Sequence, residues 1–522
     1  MDKRSLLTYT VGIFFMLAFF TSCSDDDNGN GTVSPPSITA PQSQDVVLGE
    51  TVELTFSLSV PAGYSSSSVS ANNGDATISS EPSTGASSGD VVVSFTANTL
   101  GAGLVELTVE DADGLSDDAT TALNITEQQT TFTVTDNITS DVTWETGNTY
   151  ILGGRIAVEA GATLTIEPGV VVKGEAGTGS NATALLVARD GTLNANGEEG
   201  LPIIFTSVAD EITPEMLANG DFTSPNLDPD IRGLWGGVLV LGNAPISASS
   251  GTETQIEGIP SSDTNGLYGG NDPNDSSGSI TYISIRHGGS NIGEGNEING
   301  LTLGGVGNGT TISNVEIVAN QDDGVEWFGG TVDVTNVLVW NNGDDAIDTD
   351  QAWSGTLDNS VLVSPGDSPF ELDGPEGTFT STGHTITNSS VYAKGNGAQE
   401  LIDVDDNTDV NASNILFFGL AVNSDGTAAN SFSSDYPDYA ANTNGYAITT
   451  LEAIIPDTYT DADGNEQQAN LTLSDYFPSS LVNDGEVTEV ADLSSATVGA
   501  DVSVFGWTWA SQSGALSSLG LE

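Results

Sequence analysis

The 522-residue sequence has a single cysteine, Cys23, so no disulfide can close within the chain. Packing and hydrogen bonds alone must hold its fold. Basic residues are almost as scarce: eight Lys and Arg stand against 73 Asp and Glu, a formal charge of −65. Phosphate binding needs clustered Lys and Arg, so nucleic acid is excluded as a partner and a bare anionic membrane surface is a poor one. One Cys and two His supply no zinc cluster, and neither a phosphate loop nor a dinucleotide motif is present. Aromatics make up only 7%, and beyond residue 20 there is hardly any long apolar helical pattern. What remains is 62 glycines with abundant Thr, Ser, Asn, Asp and Val, the composition of an all-β secreted protein.

The first 36 residues read as address and tether. Met1-Asp2-Lys3-Arg4 is a charged start, and residues 6–20 are an apolar stretch of signal-peptide rather than membrane-spanning length. Phe20-Thr21-Ser22-Cys23 follows and resembles a bacterial lipobox. That resemblance implies cleavage after residue 22, lipid on Cys23, and a membrane partner through that lipid. Ser24-Asp25-Asp26-Asp27 resembles the acidic tag that sends lipoproteins to the outer face of the outer membrane. The expected organisation is a signal peptide at 1–22, a flexible acidic tether at 23–36, an immunoglobulin-like spacer at 37–127 and a solenoid with a C-terminal cap at 128–522.

The spacer is expected from alternating strands such as Val52-Glu53-Leu54-Thr55-Phe56-Ser57-Leu58 and Val91-Val92-Val93-Ser94-Phe95, separated by turn residues. Glu110-Asp111-Ala112-Asp113-Gly114 resembles an acidic turn of extracellular sandwich domains in which calcium sometimes binds; a plain turn accounts for it as well.

Residues 311–406 write one pattern four times. Asn314, Asn336, Asn359 and Asn388 each sit in a short apolar run, 22, 23 and 29 residues apart. A second run recurs with nearly the same period as Val325-Glu326-Trp327-Phe328, Ile347-Asp348-Thr349-Asp350, Phe370-Glu371-Leu372-Asp373 and Ile402-Asp403-Val404-Asp405. Two strands per period in the low twenties predict a right-handed parallel β-helix. The asparagines would stack as an amide ladder at one corner. Residues 211–231 and 251–275 interrupt the coils as insertion loops, and Val504-Phe505-Gly506-Trp507-Thr508-Trp509 is expected to plug the last open coil.

Alternation along the second strand places Val325, Trp327, Ile347, Thr349, Phe370, Leu372, Ile402 and Val404 inside. Glu326, Asp348, Glu371 and Asp403 then form one outward column, with Asp350, Asp373 and Asp405 in the next. Unit charges ~4.8 Å apart repel by about 0.9 kcal/mol in water and more near a low-dielectric surface. Such a face raises carboxyl pKa values, recruits cations or meets a cationic partner; a solvated acidic wall would look the same in sequence. Calcium is the expected cofactor if there is one, with Asp322, Asp323, Asp344 and Asp345 as oxygen ligands at two stacked corners. Arg286 and His287 are the one basic pair in the coils and a further binding candidate.

Trp235-Gly236-Gly237, Arg286-His287-Gly288-Gly289, the runs at 322–330 and 343–351, and Phe505-Gly506-Trp507-Thr508 together resemble a family of outer-membrane β-helix lipoproteins and secreted proteins. The resemblance implies a surface protein that binds glycan or cation, serves in adhesion, or acts as accessory to a TonB-dependent outer-membrane receptor. Asn320-Gln321-Asp322-Asp323-Gly324 and Gly343-Asp344-Asp345 are also similar to motifs of polygalacturonase-type glycosidases. That second likeness implies a polysaccharide-degrading enzyme with Asp345, Asp348 and Glu326 as its acids. An inverting pair needs ~6.5–9.5 Å between carboxyls.

Overall fold

The computed structural model describes residues 33–521 apart from 258, 261, 292–297, 394–398, 443 and 444. The leader, the lipobox and Cys23 lie outside the described residues, as does Lys394. The chain divides into two compact units, Met1–Gln129 and Thr130–Glu522. Among the described residues no helix is long and apolar enough to cross a membrane.

The first unit is built from two four-stranded sheets. Leu54, Phe56 and Leu58 face inward from Thr51–Ser59, as do Val91, Val93 and Phe95 from Ser88–Ala97, so the alternation of the sequence becomes a core. Pairing is antiparallel except for Gln44–Val47, which runs parallel to Ser116–Thr126. At the acidic turn, Asp111 Oδ1 accepts hydrogen bonds from the backbone N–H groups of Asp113 and Leu115.

The second unit is a right-handed parallel β-helix whose coils carry a 15-stranded and an 8-stranded sheet. Register is kept from coil to coil: Ile312 pairs with Val334, Val334 with Leu357, Leu357 with Ile386, and Ile386 with Ala412. The eight residues assigned to the interior of the second strand are all buried. Within that interior the rings of Trp327 and Trp353 stack at 4.7 Å, with His384 next to Trp353 at 5.1 Å. Burial pushes His384 down to about 3, so the imidazole is neutral and belongs to the core.

The asparagine column bends the strand. In the first coils two separate strands, Thr192–Asn196 and Ile203–Ser207, face successive parts of the single long strand Gly278–Arg286. That long strand turns its corner at one residue, Tyr282, with φ of 50°. In later coils the same position is Asn314, Asn336, Asn359, Asn388 and Asn414, all with positive φ. Asn tolerates the left-handed region better than other residues with a Cβ, so one asparagine per coil turns the corner without a loop. The expected amide ladder forms in two pieces. Asn336 Nδ2 donates to Asn314 Oδ1 (3.0 Å), Asn359 Nδ2 to Asn336 Oδ1 (2.8 Å) and Asn414 Nδ2 to Asn388 Oδ1 (3.3 Å). Between the pieces Asn359 turns to Asp501, accepting from its N–H and donating to its carbonyl, while Asn388 donates to Asp358.

The C-terminal segment does not plug the coil. Tyr476, Phe477 and Leu481, at and beside the short helices Leu473–Tyr476 and Ser479–Asp484, join the interior core instead. The last residues turn back along the outside of the 15-stranded sheet and cross its strands in reverse order. Thr497 bonds Glu452, Ala500 N–H reaches Ser390, Asp501 meets Asn359, and Ala510 N–H reaches Glu316. Gln512 accepts a hydrogen bond from the N–H of Phe222, in the first insertion loop. This strap is held by apolar outward residues of the sheet, Val318, Leu338, Trp340, Val361, Leu416 and Phe418, packed against Phe505, Trp509, Leu516 and Leu521. Each side chain so buried contributes about 1.5–3 kcal/mol, which is why this sheet face is apolar on both sides.

Candidate metal and ligand site

The outward face of the 8-stranded sheet carries the acids. Thr302, Glu326, Asp348, Glu371 and Asp403 are consecutive register partners, so four carboxylates distant in sequence form one column. Beside it, where each coil turns into this strand, Asp345 N–H donates to Asp323 Oδ1 (2.9 Å) and Ser368 N–H to Asp345 Oδ1 (2.6 Å). Asn320 and Asn342 brace the same turns by donating to the carbonyls of Asp323 and Asp345. Each acid is thus fixed by the backbone of the next coil.

The face is not an open wall. Asp323 and Glu326 are 7% exposed, Asp345 6% and Asp348 9%, whereas Asp350, Glu371, Asp373 and Asp403 are half-buried and Asp405 is exposed. The second insertion loop packs beside this face. Tyr268 is buried with its hydroxyl on Gln351 (3.1 Å), and its ring lies 6.0 Å from Phe328, in an apolar cluster with Ile246, Ile256 and Ile259. The first insertion loop packs instead with Trp507 over Val171 and Ile204. The two loops therefore serve different sheets.

Burial dominates the electrostatics. It pushes Asp323, Glu326 and Asp348 well above the ordinary carboxylate range, and neighbouring acids push them further. Asp345 is pushed up to about 9 by burial and by the proton it gives to Glu371. Asp350 rises to about 8, through burial and the nearby Glu376. Asp373 reaches about 7, through burial and Asp405. Side-chain hydrogen bonds join neighbouring carboxyls across the coils, Asp348 to Glu326, Asp345 to Glu371 and Asp350 to Glu376.

Two carboxylate trios bring their oxygens within 4.8 Å of one another, Asp322 with Asp323 and Asp344, and Asp323 with Glu326 and Asp348. The second trio is new relative to the sequence reading, which grouped Asp345 with the first. Asp323 belongs to both. Two buried oxygens beside this trio lack a hydrogen-bond partner. Asp348 Oδ1 is buried with no hydrogen-bond partner, and so is Oδ1 of Asn299, whose amide donates to Glu326. Three converging carboxylates are oxygen ligands of the kind calcium takes. The cationic side chains of the described residues are engaged elsewhere: Arg155 with Asp263, Arg189 with Glu253, Arg286 with Glu316, Lys173 with Asp210 O and Arg232 with Asn341 O.

Arg286 and His287 are not brought to the acids. They end a strand of the 15-stranded sheet, beneath the strap, where Arg286 is 1% exposed and lies 4.9 Å from the Trp509 ring centroid. His287 Nδ1 contacts Ile231 O at 2.6 Å, and its ring meets Trp509 edge-on. Their burial leaves no surface for a ligand. Glu326 and Asp348 are closer together than the ~6.5–9.5 Å of an inverting pair. Sequence reasoning missed Asn299, Thr302 and Glu376. Thr302 was reachable, since Leu301-Thr302-Leu303 repeats the inward, outward, inward pattern of the next coil; Asn299 lies in a turn without periodicity.

Among curated proteins none matches the chain. Of solved structures, a mutant of the SrpA adhesin from Streptococcus sanguinis is 19% identical over 19% of this chain and 61% of its own, with a TM-score of 0.17. The Family 28 exopolygalacturonase of Yersinia enterocolitica is 9% identical over 80% of this chain and 86% of its own, with a TM-score of 0.15. At those scores neither likeness decides fold or activity. The family described as pectate-lyase like β-helix domain, by contrast, matches residues 136–220 and 221–510, most of the chain and nearly all of the coils described above. The chain belongs to that family.

Proposed function

We propose that this protein is a lipid-anchored β-helix displayed on the outer membrane, whose acidic ladder binds a divalent cation, calcium foremost, as part of a ligand-binding face. The observation that carries the cation is the trio Asp323, Glu326 and Asp348, buried together with the unpartnered Asp348 Oδ1. Buried carboxylates at such separations stay ionised only with a counter-charge; otherwise they take up protons. A bound calcium would be held by these three, with Asn299 beside them, and would supply that charge. The anchor rests on the lipobox at Cys23 and the acidic run behind it. A polysaccharide or a TonB-dependent receptor fits the exposed acids Asp405 and Asp406 only through such a cation or through basic groups of its own, because like charges repel.

Calorimetric titration of calcium into chelator-treated mature protein tests this. Saturable binding is expected, weakened at least tenfold in Asp348→Asn; equal binding by that variant would assign the calcium to other acids.

A second reading, hydrolysis of a polysaccharide, is favoured by the half-buried Asp350 and Asp373, which burial and neighbouring acids push up to about 8 and about 7, toward the range a general acid needs. Under it, incubation with neutral and acidic polysaccharides releases new reducing ends, and Asp350→Asn abolishes them; under the first reading none appear.

A further inference from the structure

Past the end of the acid column, on the other sheet, lies a groove that the cation reading does not use. It has a volume of about 610 Å3 and is walled by Tyr392 and Tyr459, with Thr458, Thr460 and Glu466 on its rim and Leu420 on its floor. One wall is the antiparallel hairpin Thr458–Thr460 and Glu466–Gln468, an addition to the coils.

Both tyrosines are seated by glycines. A Cβ at Gly419 would stand 2.2 Å from the Tyr392 ring, and one at Gly426 would stand 3.0 Å from the Tyr459 ring. Both glycines also have positive φ, where a side chain is disfavoured. The backbone thus makes room for two rings that line the same groove. An aromatic face is apolar while its rim here is hydroxyl and carboxylate. That combination matches a sugar ring, whose axial C–H face is apolar and whose equatorial hydroxyls need acceptors and donors. A volume of about 610 Å3 has room for more than one sugar unit. Glu466 at the rim, on a chain of charge −65, turns away uronates and sulfated sugars.

We propose that the groove between Tyr392 and Tyr459 binds a neutral polysaccharide chain by stacking sugar rings on the two tyrosines, independently of the acidic ladder. The test uses mature protein in chelator, titrated calorimetrically with hexasaccharides of glucose (β-1,4 and β-1,3), xylose and mannose, and with hexagalacturonate as the charged control. At least one neutral hexasaccharide is expected to bind and hexagalacturonate to fail. Tyr459→Ala, at the hairpin surface, should lower the affinity at least tenfold and Tyr459→Phe less than threefold, while Asp348→Asn leaves it unchanged. Tyr392→Ala should lower it as well, and because Tyr392 also packs on Phe418, the melting temperature recorded beside it separates lost stacking from lost packing. Absence of binding by every neutral hexasaccharide, or binding that survives Tyr459→Ala, overturns the proposal without touching calcium binding. Loss of binding in Asp348→Asn overturns it too, placing the sugar on the ladder.

Discussion

Glu316→Gln is expected to destabilise the β-helix by about 3–5 kcal/mol, the usual consequence of leaving one buried charge without its partner. Glu316 is fully buried under the strap, and its carboxylate meets Arg286 at 3.6 Å. The same carboxylate accepts from Ser284 Oγ (2.5 Å) and from the N–H of Ala510 (3.0 Å), so it ties two neighbouring strands to the C-terminal segment. Burial alone pulls Arg286 below the ordinary guanidinium value, and Glu316 opposes that pull. Gln keeps the shape and an acceptor but removes the charge. The loss therefore falls on the guanidinium rather than on packing. Arg286→Met should cost a similar amount for the opposite reason, and the double variant distinctly less than the two singles together. Denaturant midpoints of the full mature chain read this directly. A Glu316→Gln cost below about 1 kcal/mol would mean that water or another group already compensates Arg286.

The second large effect is a dependence of stability on pH that calcium reverses. Carboxyls whose folded pKa stands above the unfolded value hold more protons in the folded chain. The stability this brings is complete below the unfolded value near 3.8 and drains away as pH rises through the folded values, up to about 9 for Asp345. In chelator, the apparent melting temperature should therefore fall steadily between pH 4 and pH 9, by roughly 10 °C for several such groups. Calcium competes with those protons for the same oxygens. Its stabilising effect should be small at pH 5 and largest at pH 8. Asp348→Asn removes one ionising group and should flatten the chelator curve. A chelator curve that rises with pH would show that the ladder is ionised and solvated, against the burial described here.

The coils were legible because parallel stacking repeats its chemistry: Asn314 and Asn336, or Glu326 and Asp348, occupy equivalent places 22 residues apart, and register pairing places them side by side. Which residues of the second strand point inward also followed from alternation. The depth of the acids did not, because it depends on what packs beside the strand, such as Tyr268 on Phe328 and Gln351, and a loop without periodicity carries no signal for where it lands. The same holds for the strap. Trp507 and Trp509 read as an end plug because a solenoid end needs one, yet the segment that supplies it, around Tyr476 and Phe477, has the weaker apolar pattern. Outward apolar residues at Leu338, Trp340 and Val361 were the available sign that a sheet face is covered. Arg286 and His287 stood out as the one basic pair, but scarcity of charge says nothing of side: their strand lies under that cover.

The central claim is that Asp323, Glu326 and Asp348 enclose a hard divalent cation. Anomalous diffraction from crystals of the mature protein soaked in terbium, which shares calcium's preference for carboxylate oxygens, tests it most directly. A single dominant anomalous peak among those three carboxylates, absent from Asp348→Asn crystals, is the predicted result. Peaks confined to exposed acids such as Asp405, Asp463 or Asp492, with the trio left dark, would contradict it.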